Sequence, residues 1–160
     1  GKTSFSLNIV MHAGLVHGLK VGFFSLEMAK EQLMMRMLST KSKINFGKIR
    51  TGFLSDTEFQ KTVDAAEAIQ RANIFIDDTP ALTSLDLRSR TRRLKSDKGL
   101  DILVVDYLQL MRGNSRTDNR EREIAEISLS LKALAKELQI PIIAISQLSR
   151  QTEARTDKKP

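Results

Sequence analysis

Four short runs of consecutive apolar residues constrain this chain more than anything else in it. They are 21–26 (VGFFSL), 73–76 (NIFI), 101–105 (DILVV) and 141–145 (PIIAI). All are short, apolar and β-branched or aromatic, which favours strand over helix. A strand with one wet face alternates apolar and polar residues. These runs are apolar on successive positions, so both of their faces must be covered, as in a parallel sheet held between helices.

The stretches between the runs read as helices: 3–17, 29–42, a short segment at 45–51, 55–72, 84–97 and 120–139. The last is the clearest, because Ile124, Ile127, Leu131, Leu134 and Leu138 recur at intervals of three and four. Asp118 and Glu121 have the spacing of a capping box for it. Gly14, Gly18, Gly52, Gly99 and Gly113 fall at or near the ends of these segments. Strand and helix in alternation predict a three-layer α/β/α fold, with a mainly parallel sheet and right-handed crossovers. No repeat, low-complexity stretch or linker divides the chain.

Composition removes several classes of function. No apolar run approaches the ~20 residues of a membrane-spanning helix, so no membrane partner is expected. The chain has no Cys, which excludes disulfides and cysteine-ligated zinc. Its net charge of +7 permits a polyanionic partner without requiring one. With no Trp and one Tyr it is not an aromatic platform for stacked bases. The chain opens on Gly1 and closes on a polar segment ending at Pro160, and it reads as an excerpt of a longer protein.

In sheets of this kind, ligands bind beyond the carboxyl ends of the strands. There the first run delivers Glu27, the third Asp106 and the fourth Gln147, while Gly1, Lys2 and Thr3 open the first helix. One lysine, one hydroxyl, two carboxylates and an amide on a single rim suit phosphate, magnesium and a positioned water. Gly-Lys-Thr matches the second half of a phosphate-binding loop, with chance occurrence of so short a triplet as the bland reading. In such a loop, glycine lets backbone N–H groups approach oxygens, lysine meets the terminal phosphates and the hydroxyl meets the metal. The first half of that loop, and the strand feeding it, would lie before Gly1, and that strand is expected as the central member of the sheet. Each signal also has a bland reading: Asp106 as an ordinary polar strand end, Glu27 as a first-turn acid favoured by a helix dipole, and Gln147 as another strand end.

Three motifs then carry a resemblance. Ser25-Leu26-Glu27-Met28, Asp106-Tyr107-Leu108-Gln109-Leu110-Met111 and Ser146-Gln147-Leu148-Ser149-Arg150 are similar, in order and rough spacing, to motifs of the bacterial replicative DNA helicases of the DnaB family. The resemblance spans essentially the whole chain. It implies a RecA-like P-loop NTPase core, truncated at both ends, with 1–160 as a partial helicase motor domain lacking its first strand and last elements. It further implies ATP and Mg2+ as cofactors, single-stranded DNA as substrate, and a homo-oligomeric, hexameric ring. Primase and a helicase loader would be partners of the parent protein, in the bacterial cytoplasm at the replication fork.

By the same resemblance, Lys2 contacts the β- and γ-phosphates and Gly1 belongs to their loop. Thr3 and Asp106 hold magnesium, Glu27 polarises the attacking water and Gln147 senses the γ-phosphate. The family's arginine finger and main DNA-contacting loop would lie after Pro160, and its primase-binding domain before Gly1. Arg112, Arg116 and Arg120, in the segment after Asp106, are candidate DNA contacts, with a solvated surface loop as the competing reading. The cluster Arg88, Arg90, Arg92, Arg93, Lys95 and Lys98 spreads around its helix and reads as a solvated face. His12 and His17 lack further ligands nearby, and Met34, Met35 and Met37 read as core or subunit-contact filler. A RecA-like recombination or remodelling ATPase that does not unwind DNA, and an inactive fragment retaining only the fold, stay open at this point.

Overall fold

A computed structural model describes residues 2–111 and 120–147. Among these the order is α1 (Lys2–Met11) with a π-helical last turn (His12–Val16), β1 (Val21–Ser25), α2 (Lys30–Ser42) and α3 (Phe46–Thr51). Then come α4 (Asp56–Arg71), β2 (Ile74–Asp77), α5 (Ser84–Lys98), β3 (Ile102–Asp106), a 3-10 turn (Leu108–Leu110), α6 (Arg120–Leu138) and β4 (Ile142–Ile145). The four apolar runs are the four strands. They form one sheet in the order β2-β1-β3-β4, and every pairing is parallel.

Consecutive burial follows from cover on both faces. All five residues of β1 are buried. Phe23 and Val104 face one layer, with Leu7, Val10 and Met11 of α1, Leu33 and Met37 of α2 and Ile69 of α4. Phe24, Leu103 and Val105 face the other, with Leu87 of α5 and Ile127, Leu131 and Leu134 of α6. Met37 is fully buried and Met34 packs against the first of these layers, so both are core.

The structure refines three sequence-based expectations. The four described strands pair without a gap, so a strand from before Gly1 would join beside β2 or β4 and not between two of them. The first helix does not run regularly to residue 17. Its last turn widens to a π-helix, and Gly14 sits in that turn because a Cβ there would lie 2.6 Å from the Ile74 side chain on β2. A π-turn also brings residues five apart onto one face, which is why the His12 and His17 imidazoles meet, Nε2 to Nε2, at 3.2 Å.

The third is the basic helix α5, whose charges lie on an exposed face as expected and are largely paired there. Arg88 and Arg92 both bond Glu137 of α6, Arg90 bonds Asp77 at 2.8 Å, and Arg93 reaches Asp97 within its own helix. Two helix starts that periodicity alone does not mark are fixed by capping boxes, Ser55 with Glu58 and Thr83 with Asp86. Asp118 and Gly113 lie outside the described residues.

Candidate nucleotide-binding site

β1 and β3 end side by side on one rim. Ser25 stands opposite Asp106 in the parallel register, and the Leu26 N–H donates to the Asp106 carbonyl at 2.7 Å. The chain leaving β1 is turned by Ser25 itself. Its hydroxyl donates to the Met28 carbonyl at 2.7 Å and accepts the Met28 N–H at 3.2 Å, so Glu27 is displayed at the tip of a closed turn. The helix that follows, α2, has Ala29 at its N-cap and no side-chain cap of its own. Asp78, just past β2, supplies one instead, accepting the Lys30 N–H at 2.8 Å. The Glu27 segment is therefore held at both ends.

The start of α1 closes the rim. Lys2 and Thr3 lie in its first turn, where backbone N–H groups have no helical acceptor and the helix dipole favours an anion. The Thr3 hydroxyl is near enough to the Asp106 carboxylate to favour its charged form. Lys2, Thr3, Ser4, Glu27, Met28 and Arg36 line a cleft of about 240 Å3. Arg36 projects from α2, its guanidinium carbon 5.3 Å from the centre of the Phe46 ring, and adds a second cation there.

Asp106 is 2% exposed. Burial pushes its carboxyl above the usual carboxylate range. The Thr3 hydroxyl opposes that rise, the Glu27 charge adds to it and the Lys2 ammonium opposes it. Two carboxylates and a hydroxyl around one point, one of them buried, create a demand for a hard cation. Among the described residues no group of three or more His, Cys, Asp or Glu could hold a metal unaided. The donor set instead fits magnesium, which takes one or two carboxylates and completes its octahedron with water and substrate phosphates.

Gln147 follows β4 on the same rim. Gln109, in the 3-10 turn after β3, grips its backbone, with Gln109 Nε2 donating to the Gln147 carbonyl at 3.0 Å and the Gln147 N–H donating to Gln109 Oε1 at 3.1 Å. The peptide bond between Asp106 and Tyr107 is cis. Arg120, at the start of α6, turns its guanidinium back onto the Gln109 and Met111 carbonyls and onto Glu123. Gly1, Arg112 and Arg116 lie outside the described residues. The structure thus brings Lys2, Thr3, Glu27 and Asp106 into one cluster. Ser25 and Arg36 border it, and Asp78 and Gln109 hold the segments of Glu27 and Gln147, without having been singled out by role in the sequence. Only Ser25 and Gln109 carried a signal there, as members of the two motifs that contain Glu27 and Asp106.

A family model, the DnaB-like helicase C-terminal domain, matches residues 1–160. The chain belongs to that family. It is 51% identical over its full length to a replicative DNA helicase of Buchnera aphidicola and 48% identical to one of Geobacillus stearothermophilus. It spans 35% and 36% of the length of these curated relatives. A solved DnaB-like replicative helicase, described together with its interactions with primase, superposes with a TM-score of 0.90 at 35% identity. The superposition covers all of this chain and 39% of that one. A second solved structure, an ATPase domain, also has a TM-score of 0.90, at 37% identity, over all of this chain and 57% of its own. The RecA-like α/β fold is therefore that of this family. No helix among the described residues is long and apolar enough to cross a membrane.

Proposed function

We propose that this chain is the motor portion of an ATP-dependent replicative DNA helicase, whose parent protein hydrolyses Mg2+-ATP to move along single-stranded DNA and unwind duplex. The observation that carries the reading is the convergence of Lys2, Thr3 and Glu27 on one cleft, with the buried Asp106 carboxylate within electrostatic reach of all three, in a chain matched along its whole length by the helicase family. Lys2 and the free N–H groups of α1 bind the phosphate chain and neutralise it. The Thr3 hydroxyl and the Asp106 carboxylate are the magnesium ligands, and the ion, when bound, neutralises charge on the transferred phosphoryl group. Glu27 accepts a hydrogen bond from water and orients it for attack. Gln147, on the neighbouring strand end, reads the presence of the terminal phosphate. Phosphoryl transfer needs little more than positioning and charge neutralisation, and these residues supply both.

The parent works as a homo-oligomer, a hexameric ring, in the bacterial cytoplasm at the replication fork. Primase and a loader engage portions outside this chain. The family match and the relatives' names support the replicative role, and the solved relative described with its interactions with primase supports the primase contact.

The test is phosphate release by the full-length protein with magnesium, with and without single-stranded DNA. Hydrolysis stimulated by DNA is expected. Glu27→Gln keeps size and hydrogen bonding but loses the charge, so turnover should fall by about a hundredfold or more while ATP binding is retained, the scale of a lost acid–base group. Absence of any hydrolysis in the full-length protein would overturn the reading.

A further inference from the structure

We infer that Gln109 is a positioning residue for Gln147, an amide clamp that sets where the sensing side chain leaves the sheet. The inference rests on the role proposed for Gln147 and extends it to a second residue. The ladder between β3 and β4 ends at the pair Asp106 and Ile145. Beyond that point β3 turns away into the 3-10 turn Leu108–Leu110, and its backbone offers β4 nothing more. The Gln109 side chain takes over. A primary amide carries one donor and one acceptor side by side, as a peptide group does, and here both are used on the backbone of Gln147. Nε2 donates to its carbonyl at 3.0 Å and Oε1 accepts its N–H at 3.1 Å. Nε2 also lies 2.6 Å from the Ser146 hydroxyl.

The clamp is itself anchored. The Arg120 guanidinium donates to the Gln109 carbonyl and, at 3.2 Å, to the Met111 carbonyl. Gln109 is thus where the end of β3, the end of β4 and the start of α6 are tied together. Gln147 is the first residue of β4's exit whose backbone is fixed by a side chain rather than by a neighbouring strand. A displacement at either end of this tie therefore moves the Gln147 side chain relative to the cleft.

The experiment uses the full-length protein and measures single-turnover and steady-state ATP hydrolysis with single-stranded DNA. It compares Gln109→Ala, Gln147→Ala and the double variant, with thermal melting as a check on folding. Gln109→Glu is the second variant, since it keeps size and the acceptor but loses the Nε2 donor. Misplacing a positioned group costs up to about a hundredfold in rate. Both Gln109 variants should lower kcat by about tenfold or more, with KM for ATP unchanged within about twofold. In the Gln147→Ala background, Gln109→Ala should cost nothing further, because residues that act through one another do not add. Multiplicative losses in the double variant, or normal kcat in both Gln109 variants beside an impaired Gln147→Ala, would overturn the clamp and leave the Gln147 assignment standing. Normal turnover in Gln147→Ala would remove that assignment and the clamp with it.

Discussion

At residue 25 a hydroxyl that is 2% exposed uses both of its functions on Met28, accepting the N–H and donating to the carbonyl. The turn that presents Glu27 is closed by this one oxygen. Ser25→Ala leaves both Met28 groups without that partner, and an orphaned buried group costs about 1–3 kcal/mol. Because the lost bonds are local, the Glu27 turn loosens before the sheet does. ATP turnover in the full-length protein should fall by about tenfold or more, while affinity for a non-hydrolysable analogue, set by Lys2 and Thr3, holds within about twofold. Single-turnover hydrolysis beside calorimetric binding separates the two; weakened binding with intact turnover would count against this role for Ser25. Lys2, Thr3, Glu27 and Asp106 were legible in the sequence because each sits at a strand or helix end, where an α/β sheet gathers its ligands. Ser25 and Gln109 lay in plain sight within the same motifs. Their roles were not legible, since a serine's partners in a turn and an amide's partner on another strand depend on the folded path. Arg36 carried no signal at all, because only the packing of α2 against the start of α1 turns it to the cleft.

At the scale of elements, β2 and α5 meet at Asp77. Burial there pushes the carboxyl upward, but the Thr79 hydroxyl and N–H and the Arg90 guanidinium outweigh it, so the net shift is below the ordinary value of 3.8. A carboxylate with a depressed folded pKa binds fewer protons in the native state than in the unfolded one. Its contribution to stability is therefore fully present above the unfolded pKa and is lost as pH falls through the lowered folded value. Thermal unfolding of the full-length protein followed from neutral pH into the acid range should show that loss, and Asp77→Asn should flatten it. An unchanged acid slope in the variant would show that the Arg90 and Thr79 bonds contribute nothing to folding.

The strands themselves were legible because two-sided burial forbids polar alternation, and their parallel order followed from the helices between them. The cap on α2 was not, since Asp78 reaches Lys30 across 48 residues of sequence. Nor was the continuity of the sheet, because strand order depends on which crossovers pass which edge. The meeting of His12 and His17 was hidden too, as ordinary helical spacing of 3.6 places residues five apart on different faces.

At the scale of the whole molecule, apolar side chains also gather outside the core. Phe5 is 68% and Val16 65% exposed, and with Leu15 and Leu19 they line a cleft of about 890 Å3 flanked by Lys41 and Lys43. Apolar surface gathered in this way is typical of contact faces. The proposed function has the parent working as a ring, so activity and assembly should rise together. A dilution series that tracks mass and ATP turnover in the full-length protein should lose both over the same concentration range; full turnover in a demonstrated monomer would contradict the ring. Within each subunit, the contact of Gly14 with β2 has a reach that its location hides. Twelve residues of helix separate it from Lys2, about 18 Å at the ordinary rise. A rod of that length is seated at one end on Ile74 and holds Lys2 and Thr3 at the other. A methyl group added at Gly14 must displace Ile74 or tilt the rod. Under the proposed function, Gly14→Ala should therefore weaken nucleotide binding from a position far from the phosphates.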